Sequence, residues 1–339
     1  MAYSGISIQS QGETAITAIS DVQYLRTTGV QTLGVQIKPT QRKKELNLSS
    51  WQQALEDELD WAFAIVEACN DTELRRINVV IRFNDLVSSD DPNLLQVDTE
   101  AWWNDQASIT RALNYWQKVC LKFNGQDIFL FEILSEPLIT DIPPRPVSPD
   151  RRKLEDFYQA ALDIVRIYNN EAYFLLSPGP YGKFDKYLTG FIPFNIHDSI
   201  RPKKLMYGFH MYELHSYTHQ GINNSHRPEM YPSGSYDYND MNSDFAGIAA
   251  WSLQYNYPMY VGEFNAVRYS PNAQEWVRDV IFNAKHFKIN WSFFAFKPYW
   301  EGWDPYWEVD NSDVLNPGDW TIAYVGPNTL LWQFLLTQF

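Results

Sequence analysis

The chain has 339 residues, 45% of them hydrophobic and 20% charged, and its 41 acidic against 27 basic side chains leave a formal charge of −14. That length and balance suit one large folded domain over 1–339, since barrels and large α/β folds commonly exceed 200 residues as one unit. The acidic excess argues against a nucleic-acid or anionic-membrane partner, because gripping phosphates takes clustered Lys and Arg. No apolar run approaches the ~20 residues of a membrane span.

In chain order, short apolar or β-branched runs alternate with helical patterns. The strand YSGISIQ is followed by the helical ISDVQYLRTT, TLGVQIKP by WQQALEDELDWAFAIVEACN, and INVVIRF by ASITRALNYWQKVCLKF. DIFLFEIL precedes RRKLEDFYQAALDIVRIYN, and AYFLLSP a weaker FDKYLTGF. KLMYGFHM precedes DFAGIAAWSLQYN, PMYVGEF precedes AQEWVRDVIFNAKHF, and INWSFFAF precedes the closing NTLLWQFLLTQF. Eight strands, each followed by a helix, predict an α/β fold of the (β/α)8 TIM-barrel type. Cys69 and Cys120 both fall in helical patterns, which favours buried free thiols over a disulfide framework.

In such a barrel the chemistry lies at the C-terminal ends of the strands and in the loops that follow. Two of those loops, after KLMYGFHM and after INWSFFAF, are too long and too aromatic for plain connectors, and they are expected to wall a cleft. With 13 Trp, 21 Tyr and 20 Phe in the chain, flat rings on loops suit a ligand with flat apolar faces, as a sugar has. Trp291 packs in the barrel core or floors the cleft, with Lys297 at the exit of its strand. Trp300, Trp303, Trp307 and Trp320 form either a loop-packing cluster or sugar platforms.

FLFEILSEPL carries two glutamates. Alternation along a strand puts Glu132 and Glu136 on one face, Glu136 at the exit, where Pro137 ends the ladder for want of an N–H. Glu132 lies deeper, where a lone charge is costly, and Arg82 on INVVIRF is its expected partner. Glu263 ends PMYVGEF, across the barrel mouth from Glu136, and such a pair has the composition of a glycoside-cleaving site. His210 and Tyr212 end strand six beside it, placed to hold a carboxylate ionised and correctly rotated. HSYTH sets His215 and His219 four apart, but in a loop without the glutamate of HExxH or a third ligand, so no metal is expected. GxSxG, P-loop and GxGxxG patterns are absent, and no cofactor is expected.

At these segments the chain resembles glycoside hydrolase family 5, the cellulase-like retaining β-glycosidases. FLFEILSEP is similar to the family's FELLNEP, YVGEFNA to VGEFG, GFHMYELHSYTHQG to HYYxPFxFTHQG, and INWSFFAFKP to a WSxW-type strand, in order from about residue 20 onward. The resemblance implies Glu136 as acid/base and Glu263 as nucleophile in an endo-acting double displacement on a polysaccharide, a β-glucan or a bacterial exopolysaccharide. It also implies that His210 and Tyr212 support the nucleophile and that Trp291 floors the cleaved subsite. Trp300, Trp303, Lys297 and His219 of the THQ turn are candidate substrate contacts. Three positions depart from the pattern: Ser135 stands for the asparagine before the acid/base, Gln36 or Lys38 for an arginine ending strand two, and Asn84 for a strand-three histidine. A catalytically silent carbohydrate-binding barrel and a transglycosylase are the alternatives. The start MAYSGISIQSQGE has no signal-peptide pattern. Extracellular action is still expected, either with a signal absent from this sequence or by carriage on a phage particle.

Overall fold

The computed structural model of the chain describes residues 3–10, 14–83, 100–137, 149–201, 203–220, 229–233, 235–268, 270–298, 301–309 and 322–339. Eight parallel strands close on themselves in sequence order: β1 (Ser4–Ile8), β2 (Thr32–Ile37), β3 (Asn78–Phe83), β4 (Leu130–Glu132), β5 (Tyr173–Leu176), β6 (Leu205–Met211), β7 (Met259–Phe264) and β8 (Asn290–Phe296). The helices between them are α1 (Ala15–Thr28), α2 (Pro39–Leu46), α3 (Trp51–Asn70), α4 (Glu100–Trp103), α5 (Gln106–Lys122), α6 (Pro149–Tyr168), α7 (Asp185–Leu188), α8 (His215–Thr218), α9 (Tyr238–Tyr255), α10 (Ala273–His286) and α11 (Leu330–Leu336). A small antiparallel ribbon, β9 (Trp307–Val309) with β10 (Ile322–Tyr324), follows β8. The (β/α)8 expectation holds.

Strand residues are apolar on both faces because one face meets the helices and the other fills the barrel. Outward-facing residues such as Ile6, Val35, Ile81, Phe131, Val261 and Phe293 join the main core between sheet and helices. Inward, Val80, Leu130, Leu175, Met206 and Tyr260 form a separate buried plug. Local signals start the helices. Ser50 accepts the Gln53 N–H at the head of α3, Asp105 accepts Ala107 and Ser108 N–H groups at α5, and Asp237 with Asp240 makes a capping box at α9.

The strand in DIFLFEIL is shorter than its sequence suggests. Its ladder stops at Glu132, and Ile133–Pro137 leave the sheet as irregular chain. Helix α2, in the strongly polar KPTQRKKEL, was not foreseen, because it buries too little apolar surface to show a period. HSYTH is not loop but the short helix α8. Cys69 and Cys120 are buried free thiols, and burial pushes the Cys69 thiol up to about 12.

Candidate active site

Parallel register sets the site's foundation. Gln36 of β2 pairs with Arg82 of β3, and Arg82 with Glu132 of β4, so one amide, one cation and one anion share a rung above the apolar plug. Arg82 is fully buried and spends its guanidinium in three directions. Nε meets Glu132 Oε2 at 2.6 Å, Nη2 the Gly262 carbonyl at 2.8 Å, and Nη1 Glu263 Oε1 at 2.9 Å. The expected Arg82–Glu132 pair therefore exists, and the same arginine also reaches Glu263.

Glu263 is aimed by a slip in the sheet. Phe209 pairs with Val261 but His210 pairs with Glu263, so the register shifts across Gly262 and both residue 262 and residue 263 point inward. A Cβ at 262 would stand 3.1 Å from Arg82 Nη2 and 3.3 Å from both Glu132 Oε1 and His210 Nε2. Only glycine leaves that space to the three charged groups.

The Glu263 carboxylate is 7% exposed and held from several sides. Oε1 accepts from Arg82, from Gln36 Nε2 at 3.3 Å and from Ser135 Oγ at 3.4 Å, while Oε2 accepts the Tyr212 hydroxyl at 3.2 Å. Gln36 is oriented in turn by Gln9, whose Nε2 donates to its Oε1 at 2.6 Å. Burial and the neighbouring carboxylates Glu263 and Glu136 hold the Tyr212 phenol well above its ordinary pKa, so it stays a donor.

His210 lies between the carboxylates. Nδ1 is 2.8 Å from Glu136 Oε1 and 3.7 Å from Glu263 Oε2, and Nε2 is 3.5 Å from Glu132 Oε1. Burial alone would lower its pKa, but Glu263, Glu132 and Glu136 outweigh it and push the imidazole up to about 10. His210 is then an imidazolium that, with Arg82, balances the two buried anions Glu132 and Glu263. Burial likewise works against the Glu132 anion, yet Arg82 and His210 hold it below the usual carboxylate range. His210, expected to support Glu263, gives its hydrogen bond to Glu136 and stands in ion-pair range of Glu263 Oε2 at 3.7 Å. Of the two strand-six residues, Tyr212 is the one bonded to Glu263.

Glu136 is the outermost of these groups, its side chain 43% exposed at the mouth. Glu136, His210 and Glu263 each present one ligating atom within 4.8 Å of the others, so the two carboxylates approach closely. These three could touch a cation, but with His210 protonated its lone pair is not offered.

The remaining expected residues divide. Trp303 reaches the cleft, with its ring 5.8 Å from Tyr212, 5.0 Å from His219 and 6.3 Å from Phe294, centroid to centroid. His219 stacks on His215 at 3.9 Å, and burial together with His215 lowers its pKa to about 4, leaving a neutral imidazole in the wall. Trp291 does not reach the cleft. It is 1% exposed, packed between Phe264 and the terminal Phe339, because Trp291, like Phe293, faces the helices. The half-buried ring of that strand is Phe294, and a register shift past Phe293 returns Phe296 to the helix side, against Tyr24 and Trp332. Lys297 is turned to α1, its ammonium 2.7 Å from Asp21 Oδ1. Lys38 opens α2, its N–H donated to Glu58, and it is not among the groups around Glu263. Asn84, Trp300 and Trp320 lie outside the described residues, as do 221–228 and 234 of the loop after β6 and 299–300 and 310–321 of the loop after β8. A further wall of the cleft comes from Tyr181 to Asp185 after β5, which the sequence reading passed over.

Among the described residues no helix is long and apolar enough to cross a membrane. No curated protein sequence matches the chain. Among solved structures, a Bacteroides ovatus GH5 xyloglucanase superposes with a TM-score of 0.68 at 12% identity, covering 99% of this chain and 74% of that one. The cellulose synthase subunit Z of Clostridioides difficile gives 0.64 at 16%, covering 100% and 99%. Thermotoga maritima Cel5A with cellobiose gives 0.62 at 16%, covering 90% and 92%. At such identities these likenesses speak for the barrel. The family profile of cellulase, glycosyl hydrolase family 5, matches residues 49–299, a span that takes in Arg82, both cleft carboxylates, His210 and Tyr212. The chain thus belongs to glycosyl hydrolase family 5 and is a glycoside hydrolase.

Proposed function

We propose that the chain is an endo-acting, retaining β-glycosidase that cuts a β-glucan, with Glu263 as nucleophile and Glu136 as acid/base. The close approach of Glu136 and Glu263, with ligating atoms within 4.8 Å, carries the reading. Retaining enzymes keep the two carboxyl groups about 5–5.5 Å apart, whereas inverting ones need about 6.5–9.5 Å to admit a water.

The surroundings divide the labour. Glu263 Oε1 is occupied by Arg82, Gln36 and Ser135, so Oε2, which accepts the Tyr212 hydroxyl and has His210 Nδ1 at 3.7 Å, is the attacking atom. In the first half-reaction Oε2 bonds to C1 while the C1–O bond to the leaving sugar breaks, and Glu136 gives its proton to that oxygen. In the second, water attacks C1, Glu136 takes the water's proton, and the C1–Oε2 bond breaks. His210 holds Glu136 toward the cleft through both steps. The β-glucan assignment is supported by the structural relatives, among them a xyloglucanase and a protein in complex with cellobiose.

Reducing-end release from cellulose, mixed-linkage glucan, xyloglucan, mannan and xylan tests the reading. Release from the glucans, lost in both Glu136→Gln and Glu263→Gln, supports it. Binding of these polymers without release by the parent chain is the outcome of a carbohydrate-binding barrel and contradicts it.

A further inference from the structure

Gln9 takes no part in the double displacement described above, yet it stands in line with Gln36 behind the Glu263 carboxylate. Gln36 Nε2 donates to Glu263 Oε1 at 3.3 Å, and Gln9 Nε2 donates to Gln36 Oε1 at 2.6 Å. Gln36 is fully buried and Gln9 is 5% exposed, so bulk water does not compete for either bond.

Parallel register brings the two amides together. Ile8 of β1 pairs with Val35 of β2, and both side chains join the core between sheet and helices. The next residue on each strand, Gln9 or Gln36, therefore turns into the barrel. Helix α3 holds the two strand exits in step just beyond them. Its Glu58, wholly buried, accepts the Lys38 N–H through Oε1 at 3.0 Å and also the Ser10 hydroxyl. One carboxyl group thus ties the residue after Gln9 to the residue two beyond Gln36.

An amide differs from the guanidinium beside it. Every N–H of Arg82 is a donor, whereas Gln36 has one donor end and one acceptor end, and a half-turn about its last bond exchanges them. Turned that way, the Gln36 carbonyl would face Glu263, acceptor against acceptor, and the carboxylate would lose a bond that favours its anion. Gln9 makes that turn costly, because its amino group would then meet the Gln36 amino group, leaving two donors opposed and a buried bond unmade. We propose, resting on the assignment of Glu263 as nucleophile, that Gln9 is a positioning residue: by capping the carbonyl end of Gln36 it fixes the amino end on Glu263 Oε1 and keeps Oε2 for the sugar.

The test is a double-mutant cycle on Gln9→Met and Gln36→Met, with Gln9→Asn as a second probe whose amide falls one methylene short. Kinetics are read on whichever of cellopentaose, mixed-linkage glucan and xyloglucan the parent chain cleaves fastest. In both Gln9 variants kcat/KM at the optimum falls by about fivefold, the size of one neutral hydrogen bond. The acid limb of the kcat/KM profile moves up by roughly half a pH unit, since a carboxylate whose donor is no longer held in place protonates more readily. The double variant is no worse than Gln36→Met alone, because Gln9 acts through Gln36. Additive losses, or an acid limb unmoved in both Gln9 variants of an active enzyme, overturn the positioning role alone. A parent chain that cleaves none of the three substrates overturns the Glu263 assignment and the positioning role with it.

Discussion

His210 is hydrogen-bonded through Nδ1 to Glu136 Oε1 at 2.8 Å, while its Nε2 faces the buried Glu132 at 3.5 Å. One imidazole thus spans both glutamates of FLFEILSEPL, and its charge ties stability to pH. Its pKa in the fold is about 10 against an ordinary 6.5, because the surrounding carboxylates outweigh burial. A group whose folded pKa is raised stabilises fully below its unfolded pKa and loses that contribution as pH climbs through the folded value. Urea unfolding is therefore expected to show stability declining from about pH 6.5 to about pH 10, with a smaller decline in His210→Gln. Parallel profiles for the two proteins would remove His210 from this role.

Arg82 is the buried counter-charge of both Glu132 and Glu263. Replacing it by methionine strands two carboxylates in the barrel, and a loss of roughly 3–5 kcal/mol in unfolding free energy is expected. Arg82→Lys should fold better yet lose activity, because one ammonium cannot meet Glu132, the Gly262 carbonyl and Glu263 in three fixed directions. Denaturation and steady-state kinetics on the two variants separate these effects.

Trp291 is buried in the core, whereas Trp303 stands beside Tyr212 and His219. Trp291→Ala empties a site in the core, and a loss of roughly 3–5 kcal/mol is expected with KM of the folded fraction unmoved. Trp303→Ala, which removes a ring beside Tyr212 and His219, should raise KM with little change in the unfolding midpoint.

These two tryptophans also mark how far the sequence could be read. The barrel was legible because each strand is a short apolar run bounded by a helix with three-and-four spacing, a pattern independent of tertiary detail. Glu136 and Glu263 were legible because both stand at strand exits, one before proline and one after glycine. The phase of β8 was not, since Trp291, Phe293 and Phe294 are all aromatic and nothing local says which face is inward. Nor was the second bond of Arg82. It depends on the register slip at Gly262, which arises between strands far apart in the chain. The cleft wall from Tyr181 to Asp185 was hidden because no motif marks it.

Ser135, where the resemblance leads one to expect asparagine, spends its hydroxyl on Glu263 at a long 3.4 Å. Arg82, Gln36 and Tyr212 remain on that carboxylate when it is removed. Ser135→Ala is accordingly expected to lower kcat/KM by less than about tenfold, the size of one weak neutral hydrogen bond. A loss of a hundredfold or more would show that the hydroxyl touches the substrate as well.

The central claim is that Glu263 forms a covalent bond to the sugar while Glu136 shuttles the proton. Incubation with a 2-deoxy-2-fluorocellobioside bearing a good leaving group, followed by mass spectrometry of the digested protein, tests it most directly. The account predicts one added fluorocellobiosyl unit on the peptide containing Glu263, with retained configuration in the products of the ordinary substrate. A label on Glu136 or another residue, or products of inverted configuration, would contradict it.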